Sequence, residues 1–423
     1  METPAVQGNK LWTKDFTIIT LGSLVSMLGN TMSGFAMSLL VLEYTGSTLA
    51  YSIYIACFML PQLIMPIFSG AILDRFSRLK TIYSLDFLSA GLYLLFAILL
   101  GNGWFSFPIL AVTCVFLGTI ESVYFVAYES FYPLLISEGN YQKAYSIASV
   151  FETMSFFMVP VATFFYKQIG IAPLLAVDAV TFFIAAVMET RITQKEDYVE
   201  KQKADLLESG EELKGAKLML RDIKDGFAYL RTEKGLLFVA LYFFFSSLAG
   251  GAEETMGLPF FKNSFENGEY LFSLVYGSGV VARAVGGVLH YKFRIPAKHR
   301  YKIAFTVYIC LNIIAAVYLY TPIPVMMAMC VVEGIMGVTS YTIRISATQS
   351  YVPDERKGRF NGAFEILLTG GFFLGTTISG ALSELVPDVR YIITGFMALS
   401  LLAAIVFIGG NKKYIAPLYN TEN

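Results

Sequence analysis

The chain has 423 residues, 56% of them hydrophobic and only 15% charged, with a net charge of −1 at pH 7. Soluble domains carry about 25% charged residues, so this composition excludes an ordinary water-soluble globular protein. A near-neutral balance also excludes recognition of nucleic acid by bulk charge.

Twelve apolar stretches run along the chain, centred near residues 30, 60, 92, 118, 154, 180, 246, 279, 311, 336, 370 and 399. Each supplies the roughly 20 residues needed to cross a ~30 Å hydrocarbon core. Backbone in lipid must satisfy its own hydrogen bonds, and these unbroken runs lack the alternation of barrel strands, so they read as helices. The expected fold class is an all-α polytopic membrane protein with twelve transmembrane helices.

Lys10 and Lys14 precede the first stretch, which is too long for the core of a cleavable signal. The first span reads Gly22-Ser-Leu-Val-Ser26-Met-Leu-Gly29-Asn30, and Glu43-Tyr-Thr-Gly46-Ser47 follows it. Between the second and third spans lies Gly70-Ala-Ile-Leu-Asp74-Arg75-Phe-Ser-Arg78-Leu-Lys80. Gly70 permits close helix approach. Asp74 is a charge at a helix end that needs a donor. Arg75, Arg78 and Lys80 suit phosphates or a neighbouring carboxylate.

This G-x-x-x-D-R-x-x-R-x-K loop between two spans resembles the signature loop of the major facilitator superfamily. The resemblance implies twelve helices in two pseudo-symmetric six-helix bundles, alternating access, and a cargo site between the halves near the midplane. It also implies a conformational-switch role for Gly70, Asp74, Arg75, Arg78 and Lys80. Asp74 would meet the end of the eleventh span, where Arg356, Lys357 and Arg359 lie, and brace the outward-open state. A monomer is the default for such a fold. The first-span sequence and Gln349-Ser-Tyr-Val-Pro353 to Gly362 are similar to the bacterial drug-exporter branch that includes macrolide efflux proteins. Three positions depart from that branch. The fourth span lacks an intramembrane arginine, the fifth carries Val159-Pro160-Val161, and Asn30 stands where relatives often have Asp.

Lys and Arg concentrate in alternate connections: residues 75–80, 143, 191–235, 292–302, 356–359 and 412–413. The positive-inside bias then puts both termini and the central segment on the cytoplasmic side of the cell membrane. The central segment carries ten basic and ten acidic residues and divides the chain into residues 1–190, a linker at 191–235, and residues 236–423. Within it, Leu220, Ile223, Phe227 and Leu230 recur at helical spacing beside Lys217, Arg221, Lys224 and Arg231. The expectation is an amphipathic linker helix lying on the inner leaflet. In the second half, Gly286 to Arg294 repeats the spacing of the signature loop weakly, with His290 in the place of Asp74.

A carboxylate at the bilayer centre costs about 2.5–3.5 kcal/mol on insertion scales, so each one needs a reason. Glu121 lies in the fourth span with Tyr124 and Tyr128 on its face, and Glu152 lies in the fifth. Glu253 and Glu254 are in the seventh span, Glu333 in the tenth and Glu365 in the eleventh; Arg283 and Arg344 are the basic counterparts. Either a cavity-facing carboxylate carries the coupling proton or attracts a cationic cargo, or these groups pair within the bundle. Glu121 and Glu152 lead the coupling candidates. Adjacent glutamates point about 100° apart, so one of Glu253 and Glu254 is expected to pack or to face outward. Asp86 is expected near the Lys80 end of its span, pairing with the basic loop, and Asp178 to serve helix packing. Asn30 and Gln62 are uncharged polar groups that suit either cargo contact or helix contact. Gly370, Gly371, Gly375 and Gly380 make a smooth helix face.

The aromatic load, 36 Phe and 26 Tyr, suits lipid-facing belts or a greasy cavity. Cys57, Cys114, Cys310 and Cys330 show no metal-ligand spacing and read as packing residues. No phosphate-binding loop or nucleophile elbow occurs in a plausible context, so neither ATP-driven pumping nor enzymatic catalysis is expected, and no cofactor. The sequence-level expectation is proton-coupled export of an amphipathic small molecule such as a drug. The alternatives are import or lipid flipping on the same fold, or a non-transporting receptor or scaffold.

Overall fold

The computed structural model describes residues 10–65, 76–137, 140, 144, 147, 151, 154–155, 157–194, 196, 214–292 and 295–420. Helices dominate, with no strand among the described residues. Among the described residues ten helical segments are long and apolar enough to cross a membrane, and Thr48–Ile64 is a shorter apolar helix. Large apolar side chains on their outer faces, such as Phe116, Phe125, Val180 and Leu402, are more than half exposed. So much bare apolar surface suits lipid and not water.

Contacts divide the chain into two compact units, one of Met1–Leu40 with Ile64–Lys217, the other of Val41–Leu63 with Leu218–Asn423. The first break falls inside a helix, α1 (Lys14–Thr45), so the end of α1 groups with α2 (Thr48–Ile64) in the second unit.

In the first unit, α3 (Arg78–Gly101) packs along α6 (Ile171–Glu189). Tyr93 stacks on Phe182 at 5.5 Å and Phe87 meets Phe183 edge-on at 5.6 Å. Ser77 caps α3 by accepting the Lys80 amide, a regular start for a helix emerging from a loop. Beside α3 stands α4 (Phe107–Phe131), whose Phe131 shares a core with Phe16, Ile19 and Ile82. The single residue Gly170, at φ +78° and ψ −177°, turns α5 (Met158–Ile169) directly into α6. Only glycine adopts that backbone without strain.

From Leu218 the second unit continues along α7 (Lys214–Thr232), the helix expected in the linker. Towards its C-terminal end Tyr229 and Leu230 are buried and Phe227 packs on the same core. Asp225 pairs with Arg359 at 3.7 Å, and Arg356 lies 5.0 Å from the centre of the Tyr229 ring. At this end of the helix, protein covers Phe227 and Leu230, two of the four apolar positions expected to meet the leaflet; the side chain of Leu220 lies outside those described. Six further long helices follow: α8 (Lys234–Ser264), α9 (Gly268–Lys292), α10 (Arg300–Val317), α11 (Ile323–Tyr351), α12 (Asp354–Leu382) and α13 (Val389–Ala403), then the short α14 (Lys412–Tyr419). Gly371 and Gly375 of α12 press against carbonyls of Phe244 and Leu248 on α8, and Gly380 against Ser52. Gly370 faces open space instead.

Candidate functional site

Four segments of the second unit bring ionisable groups together. Glu253 and Glu254 come from α8, Tyr276 and Arg283 from α9, and Glu333 from α11. Tyr318 comes from the 3-10 turn Tyr318–Tyr320 that ends α10. Small residues set the approach. A methyl on Gly334 of α11 would strike the carbonyl of Gly279 on α9, so these backbones touch. Arg283 is one turn past Gly279 and Glu333 adjoins Gly334, so the contact brings guanidinium and carboxylate into each other's field. On α8, Gly257 is one turn past Glu253 and leaves room for the Tyr276 hydroxyl.

The hydroxyls of Tyr276 and Tyr318 are 3.0 Å apart, and the Tyr318 hydroxyl stands beside the Glu253 carboxyl. A tyrosine has one proton to donate, and an ionised carboxylate only accepts. The Tyr276–Tyr318 bond takes one of the two hydroxyl protons and leaves the other for a neighbouring acceptor. Glu253 feels repulsion from Glu333 and Glu254, and the Arg283 field reaches all three glutamates. No direct ion pair joins them among the described residues. Glu253 and Glu333 are partly buried, whereas Glu254 and Arg283 are exposed. The adjacent glutamates therefore differ in exposure, as helix geometry requires, yet both answer to one arginine. Three acids share one guanidinium, so the acids beyond the first need a proton, water or a cationic guest.

The other candidate residues of the second unit lie elsewhere. Arg344 sits in an aromatic cage, 5.0 Å from the Phe243 ring centre, 4.9 Å from Phe364 and 5.4 Å from Tyr341. Glu365 is exposed on α12. Gln62 is partly buried on α2. His290, in the degenerate repeat, bonds Thr339 at 2.8 Å.

In the first unit, Asn30 accepts the Tyr93 hydroxyl at 2.8 Å, which ties α1 to α3. Asp178 is buried against Gly29, where an added methyl would collide with it, and accepts from the Thr181 hydroxyl at 3.0 Å. Glu121 is partly buried on α4 with no hydrogen-bond or ionic partner among the described residues. Below it Tyr124, Tyr128 and Tyr132 stack in sequence, with ring centres 5.9 and 5.2 Å apart. Arg78 donates to the Ser130 carbonyl at 2.9 Å, linking the ends of α3 and α4, and Lys80 is exposed in the first turn of α3. Gly70, Asp74, Arg75 and Glu152 lie outside the described residues.

Asp86 corrects an expectation. Among the described residues no basic side chain reaches it; its carboxyl group meets that of Glu189 at the end of α6. Glu189 went unnoticed in the sequence because it closes a span and is followed by Thr190 and Arg191, so it reads as the start of a charged loop. The Tyr276–Tyr318 pair also went unnoticed, because one tyrosine among 26 carries no signal.

The sequence profile described as Major Facilitator Superfamily matches residues 19–364. The uncharacterised MFS-type transporter YkuC of Bacillus subtilis (strain 168) is 23% identical over 305 residues, covering 67% of this chain and 68% of that protein. Among solved structures, the nucleoside transporter NupG superposes with a TM-score of 0.67 at 13% identity, covering 94% of this chain and 99% of that one. A bacterial homologue of the iron transporter ferroportin gives a TM-score of 0.63 at 16% identity, covering 93% and 98%. At such identities the likeness to the solved structures is one of fold. The matched profile covers well over half of the chain, and the protein belongs to the Major Facilitator Superfamily of membrane transporters.

Proposed function

We propose that the chain exports an amphipathic, cationic small molecule in exchange for protons, working as a monomer by alternating access. The observation that carries this reading is the imbalance of three glutamates against one arginine beside a tyrosine relay. An acid in surplus over its cation is the group that exchanges a proton for a positively charged guest. The tyrosines add aromatic faces suited to such a guest. Glu121, with no partner among the described residues, is a second coupling candidate in the other unit. The Lys/Arg distribution supports a cell-membrane protein with cytoplasmic termini and a six-plus-six arrangement of twelve spans. In that orientation the loop from Gly70 to Lys80 is a cytoplasmic brace.

The test is transport in proteoliposomes with a panel of fluorescent cationic amphipathic dyes and an imposed pH gradient. The expected result is dye movement that follows the gradient and stops when a protonophore collapses it. Dye movement that is unchanged by the protonophore would overturn proton coupling.

A further inference from the structure

We propose that Asp86 and Glu189 hold one proton between them, forming a proton-binding site inside the first unit that shares no residue with the glutamate cluster. Asp86 is 1% exposed and Glu189 is 0% exposed. Their carboxyl groups lie within hydrogen-bonding reach of each other. Two ionised carboxylates only accept hydrogen bonds, so they cannot bond to one another; one proton turns the same contact into a donor and an acceptor. An independent observation points the same way. Neither Glu189 oxygen, nor Asp86 Oδ2, has a conventional donor among the described residues, although all three atoms are buried. Buried polar atoms left in that condition are rare and costly. A proton on one acid, donated to the other, removes much of the cost at once.

Among the described residues no side chain donates a hydrogen bond to either Glu189 oxygen or to Asp86 Oδ2. From α1, Gly22 lies opposite, where an added methyl would stand 3.6 Å from Glu189 Oε1, and the Ser23 hydroxyl is spent on the Ile19 carbonyl at 2.7 Å. From α4, the Tyr124 hydroxyl stands in the field of both acids and Tyr128 in that of Glu189. Among the described residues no lysine, arginine or histidine faces the pair. Releasing the proton would leave two negative charges side by side in an apolar wall between α3 and α6. The two acids therefore hold the proton as a pair and not as separate sites.

Infrared spectroscopy of the full chain in lipid nanodiscs tests this through the carbonyl stretch of protonated carboxyl groups. Wild type is compared at pH 7 with Asp86→Asn and with Glu189→Gln. In either variant the new amide donates the hydrogen bond that the proton supplied, so the remaining acid ionises. The expected result is loss of one protonated-carboxyl band in both variants. Retention of the wild-type band in either variant would overturn a shared proton. If a single variant fails to fold, Asp86→Asn with Glu189→Gln places an amide pair in the same space; band loss there supports the proposal and an unchanged spectrum overturns it. The readout needs no cargo, so it stands apart from the transport reading.

Discussion

Gly226 of α7 rests directly on the backbone carbonyl of Arg359 at the start of α12, with no room for even a methyl group between them. One residue away, Asp225 pairs with the Arg359 side chain at 3.7 Å. The linker helix is thereby seated on the same short stretch of basic residues that the signature loop is expected to meet.

Gly226→Ala tests that seat. In an open helix interior, replacing Gly with Ala gains roughly 0.5–1 kcal/mol. Here the methyl must displace the Arg359 backbone, and overpacking costs about 1–3 kcal/mol. The expected outcome is a lower thermal midpoint in detergent. Gly287→Ala, at an exposed position with nothing within 4 Å of the added methyl, should be neutral or stabilising in the same assay.

The Tyr276–Tyr318 relay makes its two ends unequal. Tyr318 is 1% exposed, bonds Tyr276 and stands beside the Glu253 carboxyl. Tyr318→Phe removes that bond and the hydroxyl beside Glu253, for about 1–3 kcal/mol, whereas Tyr276→Phe removes the one bond, about 0.5–1.5 kcal/mol. Chemical denaturation of both variants should place Tyr318→Phe below Tyr276→Phe.

The Arg344 cage predicts a stability effect that depends on charge. Three aromatic rings lie within 5.4 Å of the guanidinium. A desolvated cation–π contact contributes about 2 kcal/mol, and lysine retains part of it. Arg344→Leu should lose about that much stability and Arg344→Lys less, read from thermal midpoints. Equal losses in both would show that the rings do not hold the cation.

At the start of α13, Asp388 caps the helix by accepting the Arg390 amide at 3.0 Å and also receives the Arg390 guanidinium at 2.7 Å. These side-chain hydrogen bonds from Arg390, aided by the backbone one, hold the Asp388 carboxyl below its ordinary range. A carboxyl lowered on folding stabilises above its unfolded value of about 3.9 and loses that contribution as pH falls through the folded value. The site is partly exposed, so the acid effect is small. Asp388→Ala should lose the cap, about 0.5–2 kcal/mol at neutral pH. Asp388→Asn should keep the cap and flatten the acid limb of the melting curve.

The membrane spans were legible because long uncharged runs have few alternative structures, and the glutamates stood out because charge in lipid is costly. Their convergence was not legible. Glu333 meets the Arg283 field only because Gly279 and Gly334, 55 positions apart in the sequence, let two backbones touch. The glycine face of α12 was anticipated at Gly371 and Gly375 but not the outward turn of Gly370, since periodicity alone does not say which neighbour a face meets. Asp86 was noticed and its partner misjudged. A nearby basic loop is the obvious complement for an acid, and the actual neighbour, Glu189, lies 103 residues away at the end of another helix. The unit boundary between Leu40 and Val41 leaves no mark in composition, because it falls within one continuous apolar helix.

The central claim is that the glutamate cluster couples proton entry to cargo exit, and separating exchange from uphill transport tests it most directly. Dye counterflow at equal pH and dye flux driven by a pH gradient are measured in proteoliposomes carrying wild type, Glu253→Gln or Glu333→Gln. The prediction is that at least one variant retains counterflow while its gradient-driven flux is lost. Gradient-driven flux at the wild-type rate in both variants would contradict the account.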